Sequence, residues 1–149
     1  LSPSLRPFER SLPMALMRAR EAVMREFRPR LAKHDLTEQQ WRVLRALDAR
    51  KAPLTTRDLS ETTFLLGPSL SRITANLTNR GLLKRTANPA DQRSSLLSLS
   101  EDGKILLSAV AAESEYGYRS IEERFGQDRL ELLHNLLHDL AATRTAKDT

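Results

Sequence analysis

Apolar residues Leu12, Leu16, Ala19, Val23, Phe27 and Leu31 recur every three or four positions, the spacing that lines one stripe of a long helix. Ser11 precedes the stripe as a candidate cap. Pro29 lacks an N–H and crowds the carbonyl four residues back, which predicts a bend at Pro29 that leaves the Arg25 carbonyl without its usual donor and, with it, a natural pocket wall. In Leu36-Thr37-Glu38-Gln39-Gln40-Trp41, Thr37 and Gln40 have capping-box spacing and Leu36 can staple onto Trp41. A second helix therefore starts there, runs through Val43, Leu44 and Leu47 to about Ala49, and is broken by Lys51-Ala52-Pro53. A short third helix, capped by Thr55 or Thr56, passes through Leu59 to about Thr62. Phe64-Leu65-Leu66-Gly67-Pro68 then turns the chain, with Pro68 in a first helical turn where its missing N–H costs little. In the fourth helix Leu70, Ile73 and Leu77 share one face and Ser69, Arg72 and Asn76 another, before Gly81 follows as a C′ glycine.

Beyond Gly81 the period changes. Leu82 to Thr86 and Ser95 to Leu99 are short extended segments, separated by the turn-rich Ala87-Asn88-Pro89-Ala90-Asp91-Gln92-Arg93, which predicts a β-hairpin with a charged tip. Ser100 caps a further helix through Ile105, Leu106 and Val110 to about Arg124. Gly126 interrupts it, and Asp128 caps a last helix carrying Leu130, Leu133, Leu136, Leu137 and Leu140; residues 143–149 read as a frayed tail. The first and last helices hold more leucine than one small core can bury, so pairing with a second chain is the economical explanation. The expected fold is mainly α with a small β-hairpin: a winged helix-turn-helix with N- and C-terminal dimerisation helices. Residues 1–149 form a single domain on this reading, with a DNA-binding lobe at 37–100 and dimerisation helices at 10–34 and 101–142.

Composition narrows the function. A chain of 149 residues with 40% hydrophobic content suits one folded domain. A net charge of +5 favours a polyanionic partner such as nucleic acid or an anionic membrane. There is no long apolar run, and the start LSPSLRPFER lacks the apolar core of a signal peptide, so a soluble, cytoplasmic protein without membrane attachment is expected. The absence of cysteine excludes disulfides, thiolate metal sites and cysteine nucleophiles. His134 and His138 stand one helical turn apart, but a third ligand is not evident, and polar or interface histidines of the dimerisation helix fit better; no metal or cofactor is expected. HExxH, phosphate-cradling glycine loops and GxSxG are missing, so no catalytic residues are assigned and the protein is not expected to be an enzyme.

A helix fits the DNA major groove, where polar side chains can bond base edges or phosphates. Arg72 is the first candidate, supported by Ser69, Ser71, Thr74 and Asn76; alone, the same residues also describe an ordinary solvated face. The hairpin adds positive charge directly after this helix, with Lys84, Arg85 and Arg93, and Arg80 contributes at the helix end. Arg93 at the tip suits the minor groove, whose negative potential attracts arginine. Asp91 would repel phosphate, so its expected task is to hold an arginine by a charge-assisted hydrogen bond and orient the wing.

The run Asp91-Gln92-Arg93-Ser94-Ser95-Leu96-Leu97-Ser98-Leu99-Ser100-Glu101-Asp102-Gly103, preceded by Arg80-Gly81-Leu82-Leu83, resembles the wing signature of the MarR family of bacterial regulators. More narrowly, Arg18-Ala19-Arg20-Glu21-Ala22-Val23-Met24, Phe27-Arg28-Pro29, Leu36 to Val43 and Pro68-Ser69-Leu70 resemble a subgroup that regulates homoprotocatechuate degradation operons. The resemblance implies a homodimeric repressor of aromatic catabolism genes, released from its operator by an aromatic acid or a thioester of one. Double-stranded DNA with an inverted repeat, half-sites about one helical turn apart, follows from two-fold symmetry.

For the effector, Arg20, Arg42 and Arg45 lie on helices that otherwise supply apolar surface, and Trp41 offers a flat ring nearby. An arginine fork can pair with a carboxylate and a tryptophan can wall an aromatic ring. The same residues also suit Trp41 as core, with the arginines in solvent or at the subunit contact. A ligand wedged between dimer helices and DNA-binding lobe acts only if it prefers a spacing unsuited to the operator. Two other classes share the basic surface: a non-specific DNA-packaging protein and a winged-helix protein–protein adaptor.

Overall fold

The computed structural model describes residues 4–143, so the expected tail lies outside the described residues apart from Thr143. After a single 3-10 turn at Phe8–Arg10 come α1 (Leu12–Ala32), α2 (Glu38–Arg50), α3 (Thr56–Thr63), α4 (Gly67–Asn79), β1 (Leu83–Ala87), β2 (Ser95–Leu99), α5 (Glu101–Phe125) and α6 (Gln127–Ala141). The helical chain with one hairpin matches the expected class. Contacts divide it into a unit ending at Glu113 and a second beginning at Ser114, within α5.

Local chemistry accounts for most boundaries. Thr37 accepts the Gln40 N–H at 3.1 Å while the Gln40 side chain accepts the Thr37 N–H at 3.0 Å, completing the anticipated capping box. Thr55, not Thr56, caps α3 in a reciprocal box with Asp58, whose carboxylate accepts the Thr55 N–H. That hydrogen bond, with the one from the Thr55 side chain, holds the Asp58 carboxyl below its usual value. Two expected caps differ: Ser11 occupies the N-cap of α1 without a capping bond, and Gly126, not Asp128, is the N-cap of α6. Asp128 sits in the first turn of α6, where its charge meets the positive end of the helix dipole. Helix α1 continues through Pro29 to Ala32.

The core lies in the first unit and draws on every element from α1 to the start of α5. Leu31, Val43, Leu44, Leu47, Leu59, Leu70, Leu77, Leu83, Leu97, Leu107 and Val110 pack together, with Trp41 and Ile73 half-buried against them. Antiparallel β1 and β2 pair Leu83 with Leu99 and Thr86 with Leu96. Leu54 adds an isolated bridge to Leu97, joined by hydrogen bonds of 2.8 and 2.9 Å, which ties the α2–α3 connection to the hairpin.

The hairpin leads into α5 through a close joint. Ser100 donates its hydroxyl to the Gly81 carbonyl and its N–H to the Leu82 carbonyl, and accepts the Gly103 N–H at 3.0 Å. A β-carbon at Gly103 would lie 2.2 Å from the Leu82 carbonyl oxygen, so the backbones meet where only glycine fits. Gly81 itself adopts φ +74° and ends the preceding helix. The Ser-x-x-Gly pattern after the hairpin thus has a steric and a hydrogen-bonding origin.

Taken alone, α6 buries none of its residues; Leu132, Leu133, Leu136, Leu137 and Leu140 are exposed. On α1, Leu12, Leu16, Met17 and Val23 are exposed, and only Phe27 and Leu31 reach the core.

Candidate nucleic-acid interface

Helix α4 packs Leu70, Thr74 and Leu77 inward, the i, i+4, i+7 spacing of one helical face. This corrects the assignment of Thr74 to DNA: it is 2% exposed and its hydroxyl donates to the Ser71 carbonyl at 3.2 Å. Ser71, Arg72 and Asn76 are exposed and Ser69 is half-buried. Ser69, Arg72 and Asn76 line one open groove with Thr37, Gln39 and Gln40. Within it the Gln40 amide donates to the Asn76 side-chain oxygen at 3.0 Å, fixing how Asn76 is presented. Sequence reasoning did not anticipate this link, because Gln40 was assigned only to the cap.

Arg80, expected to add to the DNA-facing charge, instead reaches back to the α1–α2 turn. Its guanidinium donates to the Asp35 carbonyl at 2.8 Å and the His34 carbonyl at 3.4 Å. Asp35 has φ 53°, and the arginine closes over this left-handed turn. Arg80 therefore positions α4 against α2's approach.

On the hairpin, Arg85 donates to the Ser95 hydroxyl at 2.7 Å, so its fork is steadied across the strands. Lys84 lies on the opposite face beside Ser98 and, with Lys51 and Lys104, lines a cleft of about 450 Å³. The tip is closed by its own bonds. The Asn88 side chain accepts the Ala90 N–H at 3.0 Å and donates to the Ser94 hydroxyl at 2.9 Å, while the Ser94 N–H reaches the Asp91 carbonyl. Asp91 does hold Arg93, but by its backbone: the carboxylate accepts the Arg93 N–H at 3.0 Å, an Asx turn rather than the anticipated charge-assisted bond to a guanidinium. Arg93's side chain is left exposed at the end of an ordered loop, which lowers the entropy lost when it is immobilised.

The residues expected to bind an effector are differently disposed. Arg20 and Arg42 converge on one carboxylate, Glu38, Arg42 at 2.6 Å, and Arg42 also donates to the Thr63 carbonyl at 2.9 Å. Glu38's side chain is only 12% exposed. Both forks are thus already engaged by an internal anion. The i, i+4 spacing of Glu38 and Arg42 was a readable signal; the approach of Arg20, on another helix, was not. Trp41 is half-buried against the core, and Arg45 is exposed. Among the described residues no group of three or more His, Asp or Glu side chains is arranged to hold a metal, and no helix is long and apolar enough to cross a membrane.

Residues 34–94 match the MarR family model. The chain is 38% identical over 132 residues to the homoprotocatechuate degradative operon repressor of Escherichia coli, spanning 89% of this chain and 88% of that one. Among solved structures, NadR in complex with 4-hydroxyphenylacetate is 35% identical with a TM-score of 0.78, covering 95% of this chain and all of that one. The transcriptional repressor CouR bound to a 23-mer DNA duplex is 29% identical with a TM-score of 0.80, covering 93% and 99%. These relatives are transcriptional regulators, not enzymes. With its winged helix-turn-helix and this likeness along most of its length, the chain belongs to the MarR family of DNA-binding transcriptional regulators.

Proposed function

We propose that the protein is a homodimeric, cytoplasmic repressor that binds an inverted-repeat operator and is released by a small aromatic acid or a thioester of one. The observation that carries the DNA reading is the exposed Ser71, Arg72 and Asn76 face, with Ser69 half-buried beside it, next to a self-bonded wing that ends in Arg93. In this reading Arg72 and its neighbours meet base edges in the major groove, Arg93 enters the minor groove, and Lys84 and Arg85 face phosphates. The exposed leucines of α1 and of α6 supply the subunit contact.

Glu38 supports the effector reading. A carboxylate held by two arginine forks is what a ligand acid imitates, so an incoming acid can take over one arginine and release the other to Glu38. Arg20 and Arg42 are then the anion receptors and Trp41 the apolar wall, with Arg45 at the rim. Release from DNA follows only if the acid prefers the unbound geometry; a coupling of ~1–3 kcal/mol changes operator affinity roughly 5- to 150-fold.

The test is fluorescence anisotropy against DNA upstream of the protein's own gene with scrambled competitor, repeated with 4-hydroxyphenylacetate, 3,4-dihydroxyphenylacetate and hydroxycinnamate-type acids or their thioesters. Specific binding reversed by one acid is the expected result. Specific binding indifferent to every acid and thioester removes the aromatic effector, and binding without preference over competitor favours a packaging role. Sedimentation equilibrium checks the dimer.

A further inference from the structure

The turn between α3 and α4 turns two large apolar side chains to solvent: Phe64 is 87% exposed and Leu66 77%, while Leu65 between them is buried. The arrangement is held in place. Phe64 has φ 60°, a left-handed backbone that a bulky residue rarely adopts. Its N–H bonds the Ser60 carbonyl at 3.0 Å, the Ser60 hydroxyl bonds the Leu65 carbonyl at 2.8 Å, and the Leu65 N–H reaches the Thr63 hydroxyl. Leu66 is the N-cap of α4, a position where Ser, Thr, Asp or Asn would satisfy a helix N–H, and no side-chain cap bond is made there. Helix stability is thus forgone for an exposed leucine.

The place of the turn indicates what covers it. It opens the helix whose first turn carries Ser69, and in a helix-turn-helix the N-terminal end of the second helix is the end that meets base edges. In the major groove the apolar feature on offer is the 5-methyl group of thymine; cytosine presents an amino donor there and no methyl. We propose that Leu66, with Phe64 beside it, reads thymine by packing on its methyl group, giving the operator half-site a thymine preference separate from the hydrogen-bonding preference of Arg72. This rests on the DNA-binding reading above.

The experiment uses the full chain and a duplex that it selects from a library of random sequences, compared with the same duplex carrying deoxyuridine at each thymine in turn. Deoxyuridine keeps every hydrogen-bonding group and removes only the methyl. Burying one such group corresponds to about fourfold in affinity, so substitution at the read position in both half-sites weakens binding roughly fifteenfold. Leu66→Ala binds the thymine duplex less tightly by a similar factor and no longer distinguishes thymine from uracil there. Leu66→Ser, which restores a capping side chain, unfolds at an equal or higher temperature and still loses the discrimination, separating recognition from helix stability. If the wild type is indifferent to deoxyuridine, or if both variants keep its discrimination, the methyl contact does not exist. If selection enriches no sequence, the DNA reading fails before the methyl contact comes into question.

Discussion

Glu38→Gln tests whether the two arginine forks form an anion receptor. The substitution keeps the side chain's shape and one acceptor oxygen but removes the charge that Arg20 and Arg42 share. Breaking a fully buried pair costs ~3–5 kcal/mol; here the arginine side chains are 40% and 32% exposed, and solvent screening reduces the expected loss to about 1–2 kcal/mol. Glu38 also lies in the first turn of α2, where its charge opposes the helix dipole for a further ~0.3–1 kcal/mol. For a chain of this size, each kcal/mol lowers the melting temperature by roughly 2–4 °C, so a fall of about 3–12 °C is expected in differential scanning calorimetry. The same change leaves two cations without a counter-charge, and 4-hydroxyphenylacetate should bind the variant up to about tenfold more tightly by isothermal titration, a gain of ~1.4 kcal/mol. A variant that loses stability but binds the acid no better would refute the exchange argument, since the freed arginines would then not be where the acid's charge goes. No stability loss would show that solvent already satisfies both forks.

Further outcomes follow from the interface and the joint. Gly103→Ala places a methyl group against the Leu82 carbonyl, which also accepts the Ser100 N–H, and overpacking of this kind costs ~1–3 kcal/mol, visible as a lowered denaturant midpoint with unchanged slope. Arg72→Ala should flatten preference among operator variants, whereas Lys84→Ala should weaken all DNA nearly equally and reduce the salt slope by about one; identical behaviour would remove the division between reading and positioning. Arg93→Ala should lower affinity strongly, and Asp91→Ala should lower it without changing the salt slope, because it disorders the tip rather than removing a cation. Because Asp58's carboxyl is held below its ordinary value of 3.8, its contribution to stability is present above that pH and is lost as pH falls through the lowered value; acid unfolding of Asp58→Ala should accordingly be less steep below pH 3.8 than that of the wild type.

The sequence was most legible where the signal is local. Thr37 with Gln40, Gly81, and Ser100 with Gly103 are short-range devices whose chemistry requires those residues at those spacings, and they marked element ends within a residue or two. Thr74 shows where polarity misled: it stands four positions after Leu70 and three before Leu77, so the helical period placed it inside, and its hydroxyl is satisfied by its own helix. Contacts across long stretches of chain gave no periodic trace. Leu54 joins Leu97 through a single bridge, Arg80 grips a turn at Asp35, and Arg20 meets Glu38 from a different helix. The arginines Arg20 and Arg42, expected to meet an effector acid, meet the internal carboxylate of Glu38 instead, a partner that the sequence did not indicate for Arg20.

The joint at Ser100 and Gly103 sets the aim of the recognition helix from its rear. Because Ser100 bonds both Gly81 and Leu82 while Gly103 lies against the Leu82 carbonyl, the first turn of α5 and the trailing end of α4 have almost no slack between them. Helix α4 has 13 residues and so extends about 20 Å forward of that joint. A tilt of only ~5° there moves the leading end by nearly 2 Å, more than a hydrogen bond to a base edge tolerates. On the proposed DNA reading, an effector therefore need not reshape the reading surface at all: a small rotation at the back of the helix would be enough to take Ser69 and Arg72 out of register with the bases.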